Sequence, residues 1–242
     1  MSPRTYFITG SSRGIGLELV KQLAAKGNIV IASARNPDAA EQLQQLVDNK
    51  KVFAVKLDVQ SEDSVKAAVA KVNEISPDGI DVLINNSGII APKGSISTTT
   101  TNHSTTSDPE VWGEIYQTNV VGVVRVTQQF LPVLRKKDTR QIIQISSDSA
   151  SLELANRPNL NAPYHCSKAA LNMFSRCLSH DLADEKFTCV CIHPGWVITD
   201  MGGSNADLTT EVSVSSMVKV FEKYTQKDNG WYGNWKGERM PW

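Results

Sequence analysis

Nowhere in this sequence does an apolar run approach the ~18 residues that a membrane-spanning helix requires. No membrane partner is therefore expected. Net charge is lacking too: 25 acidic side chains balance 25 basic ones, leaving no global field to draw nucleic acid or an anionic surface. Cysteine is scarce, and the four present lack metal-site spacing. Cys189 and Cys191 alternate on an apparent strand, while Cys166 and Cys177 fall on apparent helix. They read as buried or half-buried free thiols in a reducing compartment, with no metal. The chain enters a strand at Thr5, which leaves no room for a signal peptide, so a cytoplasmic location is expected.

What the sequence holds is a regular alternation of short β-rich runs and helical patterns. Strands are expected at Thr5 to Thr9, Asn28 to Ala34, Val52 to Val59, Ile80 to Asn85, Gln141 to Ile145, Thr188 to His193 and near Trp231. Between them lie helices from Ile15 to Ala25, from Asn36-Pro37 onward, from a Ser61 cap to about Ser76, and from Asp108-Pro109 to about Lys136. Further helices are expected from Ala162 to Asp184 and from about Glu211 to Gln226. Such alternation argues an α/β fold, a parallel sheet with helices on both faces. With no internal repeat or linker, residues 1–242 read as a single domain. Ser95 to Ser107 and Ser149 to Asn161 break the rhythm and read as loops.

The segment Thr9-Gly10-Ser11-Ser12-Arg13-Gly14-Ile15-Gly16 joins the first strand to the first helix. Glycines let the chain turn tightly and bring backbone N–H groups to a pyrophosphate, and the helix N-terminus adds partial positive charge. The pattern G-x-x-x-G-x-G differs from the common dinucleotide fingerprint, but its mechanics are the same. An acid at the end of the second strand would bind a ribose 2′-hydroxyl, as NAD requires. Here that end reads Ala32-Ser33-Ala34-Arg35. Arg35 and Arg13 could instead clamp a 2′-phosphate, which points to NADP(H).

Tyr164 precedes Lys168 by four residues in a helical run, so both side chains share one face. A cation beside a phenol favours the phenolate and lowers its pKa from ~10, giving a candidate acid–base pair. The same spacing recurs at Tyr232 and Lys236, in a Gly/Trp/Asn-rich stretch where no helix is expected. His165 and His193 read as structural, and the Trp-rich tail as packing against the last strand.

Taken together, these residues resemble the short-chain dehydrogenase/reductase family over nearly the whole chain. Thr9 to Gly16 matches its cofactor loop, including Gly10, Ser12, Arg13, Gly14, Ile15 and Gly16, and Asp58-Val59 its adenine-contacting pair. Asn85-Asn86-Ser87-Gly88 resembles its N-N-A-G turn, with Ser in place of Ala. Asn119 matches the asparagine of the long central helix, Ser147 the catalytic serine, and Tyr164 with Lys168 the Y-x-x-x-K motif. Pro194-Gly195, Val197 and Thr199 match the loop that holds the nicotinamide carboxamide. Within the family, the run His193 to Gly203 and the ending Gly237 to Trp242 are similar to C-factor-like and sniffer-like carbonyl reductases.

The resemblance implies a Rossmann-type doubly wound domain with a mostly parallel seven-stranded sheet, and a homodimer or homotetramer. It implies that NADPH gives hydride to a small-molecule carbonyl substrate while Tyr164 donates the proton. Lys168 would lower the tyrosine pKa and bind ribose, Ser147 would hold the carbonyl, and Asn119 would hold a proton-relaying water. A pathway-specific ketoreductase, or a cofactor-sensing protein without turnover, are the other readings. Ser147 and Tyr164 lie 17 residues apart, more than in many relatives, so the loop between them is enlarged.

Overall fold

In the computed structural model, residues 2–91, 103–156 and 161–242 are described. Seven strands form one sheet: β1 (Thr5–Ile8), β2 (Ile29–Ala34), β3 (Val52–Lys56), β4 (Val82–Asn85), β5 (Gln141–Ile145), β6 (Thr188–His193) and β7 (Trp231–Asn234). All neighbouring pairs run parallel, in the order β3-β2-β1-β4-β5-β6-β7. Strands buried on both faces must be apolar throughout, and the run Tyr6-Phe7-Ile8 is an example. Tyr6 and Ile8 pack on one side with helices α1 (Gly14–Ala25) and α7 (Thr210–Phe221). Phe7 points to the other, toward α3 (Glu62–Ile75), α5 (Gly122–Leu134) and α6 (Ala162–Asp181). There its ring meets that of Phe130 at 4.3 Å between centroids.

The sheet order reverses between β1 and β4, and a crevice at such a switch point is where open α/β sheets bind ligands. The loops leaving β1, β4, β5 and β6 carry the glycine segment, Asn86, Ser147 and Pro194 to this edge. The expected caps hold: Ser61 accepts from the Ser64 N–H at 3.2 Å, and Asp108 accepts from the Glu110 N–H ahead of Pro109.

Several expectations need correction. Asn36-Pro37 starts no helix: the Ala40 N–H and the Gln44 side chain both donate to the Pro37 carbonyl, closing a turn. The helix that follows, α2, is only Glu41–Gln44. The long helix from Asp108 is two helices, α4 (Pro109–Tyr116) and α5, joined by a π-helical turn over Gln117–Val121. The third strand stops at Lys56, so Asp58 and Val59 lie beyond its end. Helices α6 and α7 end at Asp181 and Phe221, earlier than expected. Cys189 and Cys191 are buried, but Cys166 and Cys177 are exposed on α6. Of the two expected loops, residues 95–102 and 157–160 lie outside the described residues.

Candidate active site

The glycine segment forms a tight cradle between β1 and α1. Gly10 and Gly14 adopt φ of +69° and +56°, which side chains other than glycine's rarely tolerate. A Cβ on Gly16 would stand 2.2 Å from the Gly10 carbonyl oxygen, so this position excludes any side chain. No side chain caps the N-terminus of α1, which leaves the first-turn N–H groups to a ligand. Asn86 fastens the cradle from β4: its Nδ2 donates to the Thr9 and Gly10 carbonyls at 3.0 Å each. Thr9 Oγ1 in turn accepts from the Asn86 and Ser87 N–H groups. Ser12 and Ile15 lie half-buried in the same loop and first turn.

Arg35 is exposed just past β2, the neighbour of β1. Arg13 pairs its Nε with Asp200 at 3.1 Å, in a bridge with both side chains about three-quarters exposed (73% and 74%). Asp58 Oδ1 accepts from the Gln60 N–H, and the Val59 carbonyl takes a bond from Arg125. On the far side of the cradle, the loop after β6 returns through a bridge between Val197 and Leu208. Gly195 there has φ +84°, and a Cβ would meet Leu208 at 2.4 Å; its neighbour Pro194 accepts from Ser213 Oγ. A Cβ on Gly14 would stand 3.3 Å from the Thr199 methyl, so this loop closes over the glycine segment.

Next to the cradle stand the four residues expected to be catalytic. Asn161 caps α6 by accepting from the Tyr164 N–H, which sets the helix that carries both Tyr164 and Lys168. Lys168 is buried, and its Nζ donates to the Ile145 carbonyl at 2.9 Å and lies 5.7 Å over the Tyr164 ring. Ser147, which follows β5, has its side chain near enough to the Tyr164 hydroxyl to favour the ionised phenol. Asn119 sits fully buried in the π turn, a geometry frequent at functional sites. Its amide pairs with the Ile89 backbone in both directions at 2.8 Å and donates to Ser167 at 3.0 Å. Gly88 faces both: a Cβ on it would stand 3.4 Å from Asn119 Oδ1 and 3.5 Å from Lys168 Nζ, in ordinary contact.

One electrostatic expectation is overturned. Burial pushes the Tyr164 phenol up to about 12; the Ser147 side chain opposes this and the Asp148 carboxylate adds to it. Burial is the largest cause, and the Lys168 ammonium 5.7 Å over the ring does not offset it. Burial lowers Lys168 itself to about 8. A phenol that stays neutral keeps the proton a reduction consumes.

Sequence reasoning missed two neighbours of Ser147. Asp148 Oδ1 accepts from Ser147 Oγ at 3.0 Å, and its N–H donates to His193 Nδ1 at 3.0 Å. Tyr232, from the second copy of the Tyr–Lys spacing, is buried in β7 and donates its hydroxyl to the Ser147 carbonyl at 2.6 Å. An acid directly after the serine was a readable signal for the first. His165 bonds the Asn161 carbonyl, consistent with a structural part.

A family model for short chain dehydrogenases matches residues 4–209. The chain belongs to that family. An uncharacterized oxidoreductase of Schizosaccharomyces pombe is 39% identical, with 98% of each chain covered. Among solved structures, the carbonyl reductase Sniffer of D. melanogaster superposes with a TM-score of 0.90 at 32% identity, covering 99% of this chain and 100% of that one. An NADPH-bound carbonyl reductase from chicken fatty liver gives 0.89 at 36%, with both chains fully covered. The chain is thus a short-chain oxidoreductase with the fold of carbonyl reductases.

Proposed function

We propose that this protein reduces a ketone, diketone or aldehyde to the alcohol with NADPH. The observation that carries the reading is the meeting of Tyr164, Lys168 and Ser147 beside a glycine loop in which Gly16 leaves no room for a side chain. The cradle fits the cofactor: uncapped N–H groups of α1 would hold the pyrophosphate, and Arg35 and Arg13 would meet a 2′-phosphate, with no acid at the end of β2 to favour NAD. The nicotinamide would lie against Val197 and Thr199, with its ribose toward Lys168. NADPH bound there supplies a hydride.

Tyr164 donates its proton to the carbonyl oxygen as that oxygen gains charge, and Lys168 offers a cation to balance the phenolate. Ser147 would turn its hydroxyl from Asp148 to the carbonyl oxygen and hold the substrate in line. Asn119 would hold a water that relays protons from solvent to Lys168. The enzyme is proposed to act in the cytoplasm as a homodimer or homotetramer, a state that exposed Met173 on α6 and Val121 beside α5 would suit. Tyr164→Phe tests the chemistry: NADPH oxidation against a carbonyl panel should vanish while NADPH fluorescence titration still shows binding. Normal turnover by that variant would overturn the assignment.

A further inference from the structure

We infer that Trp242 is a positioning residue for the reaction: its ring holds Tyr232 so that the Tyr232 hydroxyl fixes Ser147 beside the substrate carbonyl. This rests on the carbonyl-reduction reading, because that reading has Ser147 orient the carbonyl. Tyr232 lies buried in β7 and donates its hydroxyl to the Ser147 carbonyl at 2.6 Å. The Trp242 ring packs against the Tyr232 ring, with 5.1 Å between centroids and a tilt of 36°.

The bond from Tyr232 differs in kind from the others near the serine. The Ser147 carbonyl also accepts from the Ala150 N–H at 3.1 Å, but Ala150 belongs to the same short turn and moves with the serine. Tyr232 belongs to a strand paired with β6, so its hydroxyl ties the turn to the sheet. Where that hydroxyl points depends on the two side-chain torsions of the tyrosine, and the groups packed on the ring set both. Ala150, Cys191 and Met240 pack with it, and the Trp242 ring adds an aromatic contact.

The backbone brings Trp242 to this place. After Asn234 the chain turns back along β7: the Asn234 N–H donates to the Glu238 carbonyl at 2.9 Å, and the Met240 N–H to the Tyr232 carbonyl at 3.0 Å. Gly233 permits the close return, since a Cβ there would strike the Glu238 carbonyl oxygen. The same segment then reaches the turn that carries the serine. The Trp242 main-chain oxygen accepts from the Ser151 hydroxyl at 3.3 Å and from the Glu153 N–H at 3.4 Å. Trp242 thus holds both partners of the link, Tyr232 through its ring and the segment after Ser147 through its backbone.

The test is Trp242→Ala beside Trp242→Phe, each made in the wild type and in Tyr232→Phe, with acetophenone, benzil and benzaldehyde as carbonyl probes. Trp242 is 40% exposed, so its loss leaves the core intact. Trp242→Ala should lower kcat/KM about 3- to 10-fold, the worth of one aromatic contact, and Trp242→Phe should restore it to within about twofold. NADPH affinity from fluorescence titration should stay within about twofold, because the serine and not the cofactor loses its alignment. In Tyr232→Phe, where the hydroxyl is already gone, Trp242→Ala should change kcat/KM by no more than about twofold. An unchanged kcat/KM in Trp242→Ala, no recovery in Trp242→Phe, or equal losses in both backgrounds would overturn the inference and leave carbonyl reduction standing. A loss of NADPH affinity that matches the loss in kcat/KM would do the same. If the wild type oxidises NADPH with none of the three probes, the carbonyl-reduction reading falls and the inference with it.

Discussion

The chain contains the Tyr-x-x-x-Lys spacing twice, and the two copies behave differently. Tyr164 and Lys168 lie on α6, where a four-residue step returns to the same face, and Lys168 Nζ rests 5.7 Å over the tyrosine ring. Tyr232 lies in β7 and Lys236 in the turn beyond it, so the same step carries the lysine away from its tyrosine. Lys236 is exposed and sits over the Trp235 ring instead, 5.2 Å from its centroid. A spacing thus has chemical meaning only through the secondary structure that carries it. Yet the second tyrosine is not idle: through its hydroxyl it holds the carbonyl of Ser147, whose side chain acts on the first tyrosine's ionisation.

The widest difference between the copies should appear in activity. Tyr164→Phe is expected to lower kcat by about 10²–10⁴-fold, the usual worth of a positioned acid. Lys168→Met should cut kcat by about 10²-fold or more through loss of the cation. It should also stabilise the protein at neutral pH, because Lys168 is charged while buried. A depression from 10.5 to about 8 corresponds to about 3 kcal/mol, of which the lost bond to Ile145 returns about 1. Because the folded pKa lies below the unfolded one, the wild-type penalty is complete below pH 8 and fades as pH rises toward 10.5. Denaturant melts of both proteins at pH 7 and pH 10 check this: the variant's advantage should shrink at the higher pH. An unchanged gap would show that burial of this charge is not what separates them.

Much of this was legible in the residues. Buried parallel strands must be continuous apolar runs, so Tyr6-Phe7-Ile8 and Cys189-Val190-Cys191-Ile192 announced themselves, as did the caps Ser61 and Asp108. The glycine spacing located the cradle because only glycine fits where a Cβ would strike the Gly10 carbonyl. The π turn at Asn119 was not legible, since its residues carry the same helical pattern as their neighbours. Tyr232 meets Ser147 across 85 residues of sequence, a contact that only the strand order creates. The direction of the Tyr164 shift was misjudged for a related reason. Proximity to a lysine can be read from spacing, but burial, the larger cause here, belongs to the packed molecule.

Tyr232→Phe sharpens the comparison at intermediate scale. It removes one donor from a buried carbonyl, which should cost about 1–3 kcal/mol of stability. The loosened Ser147 should lower kcat/KM by about tenfold or less, far short of the Tyr164 effect. Thermal melts and steady-state kinetics on one preparation would separate the two effects. A loss as large as that of Tyr164→Phe would mean that Tyr232 reaches the chemistry directly.

The smallest effect belongs to Lys236→Met. Its Nζ sits 5.2 Å over the half-buried Trp235 ring, and substitutions of exposed side chains usually stay within about 0.5 kcal/mol. Tm should therefore move by no more than about 2 °C, and kcat should match the wild type. Lys168→Met at the same offset from its tyrosine should abolish most turnover, so the pair of lysine variants isolates what the helix contributes. If Lys236→Met instead lost activity on the scale of Lys168→Met, the turn after β7 would have to feed the site that Tyr232 borders. The two copies would then be two parts of one device rather than a working pair and a coincidence of spacing.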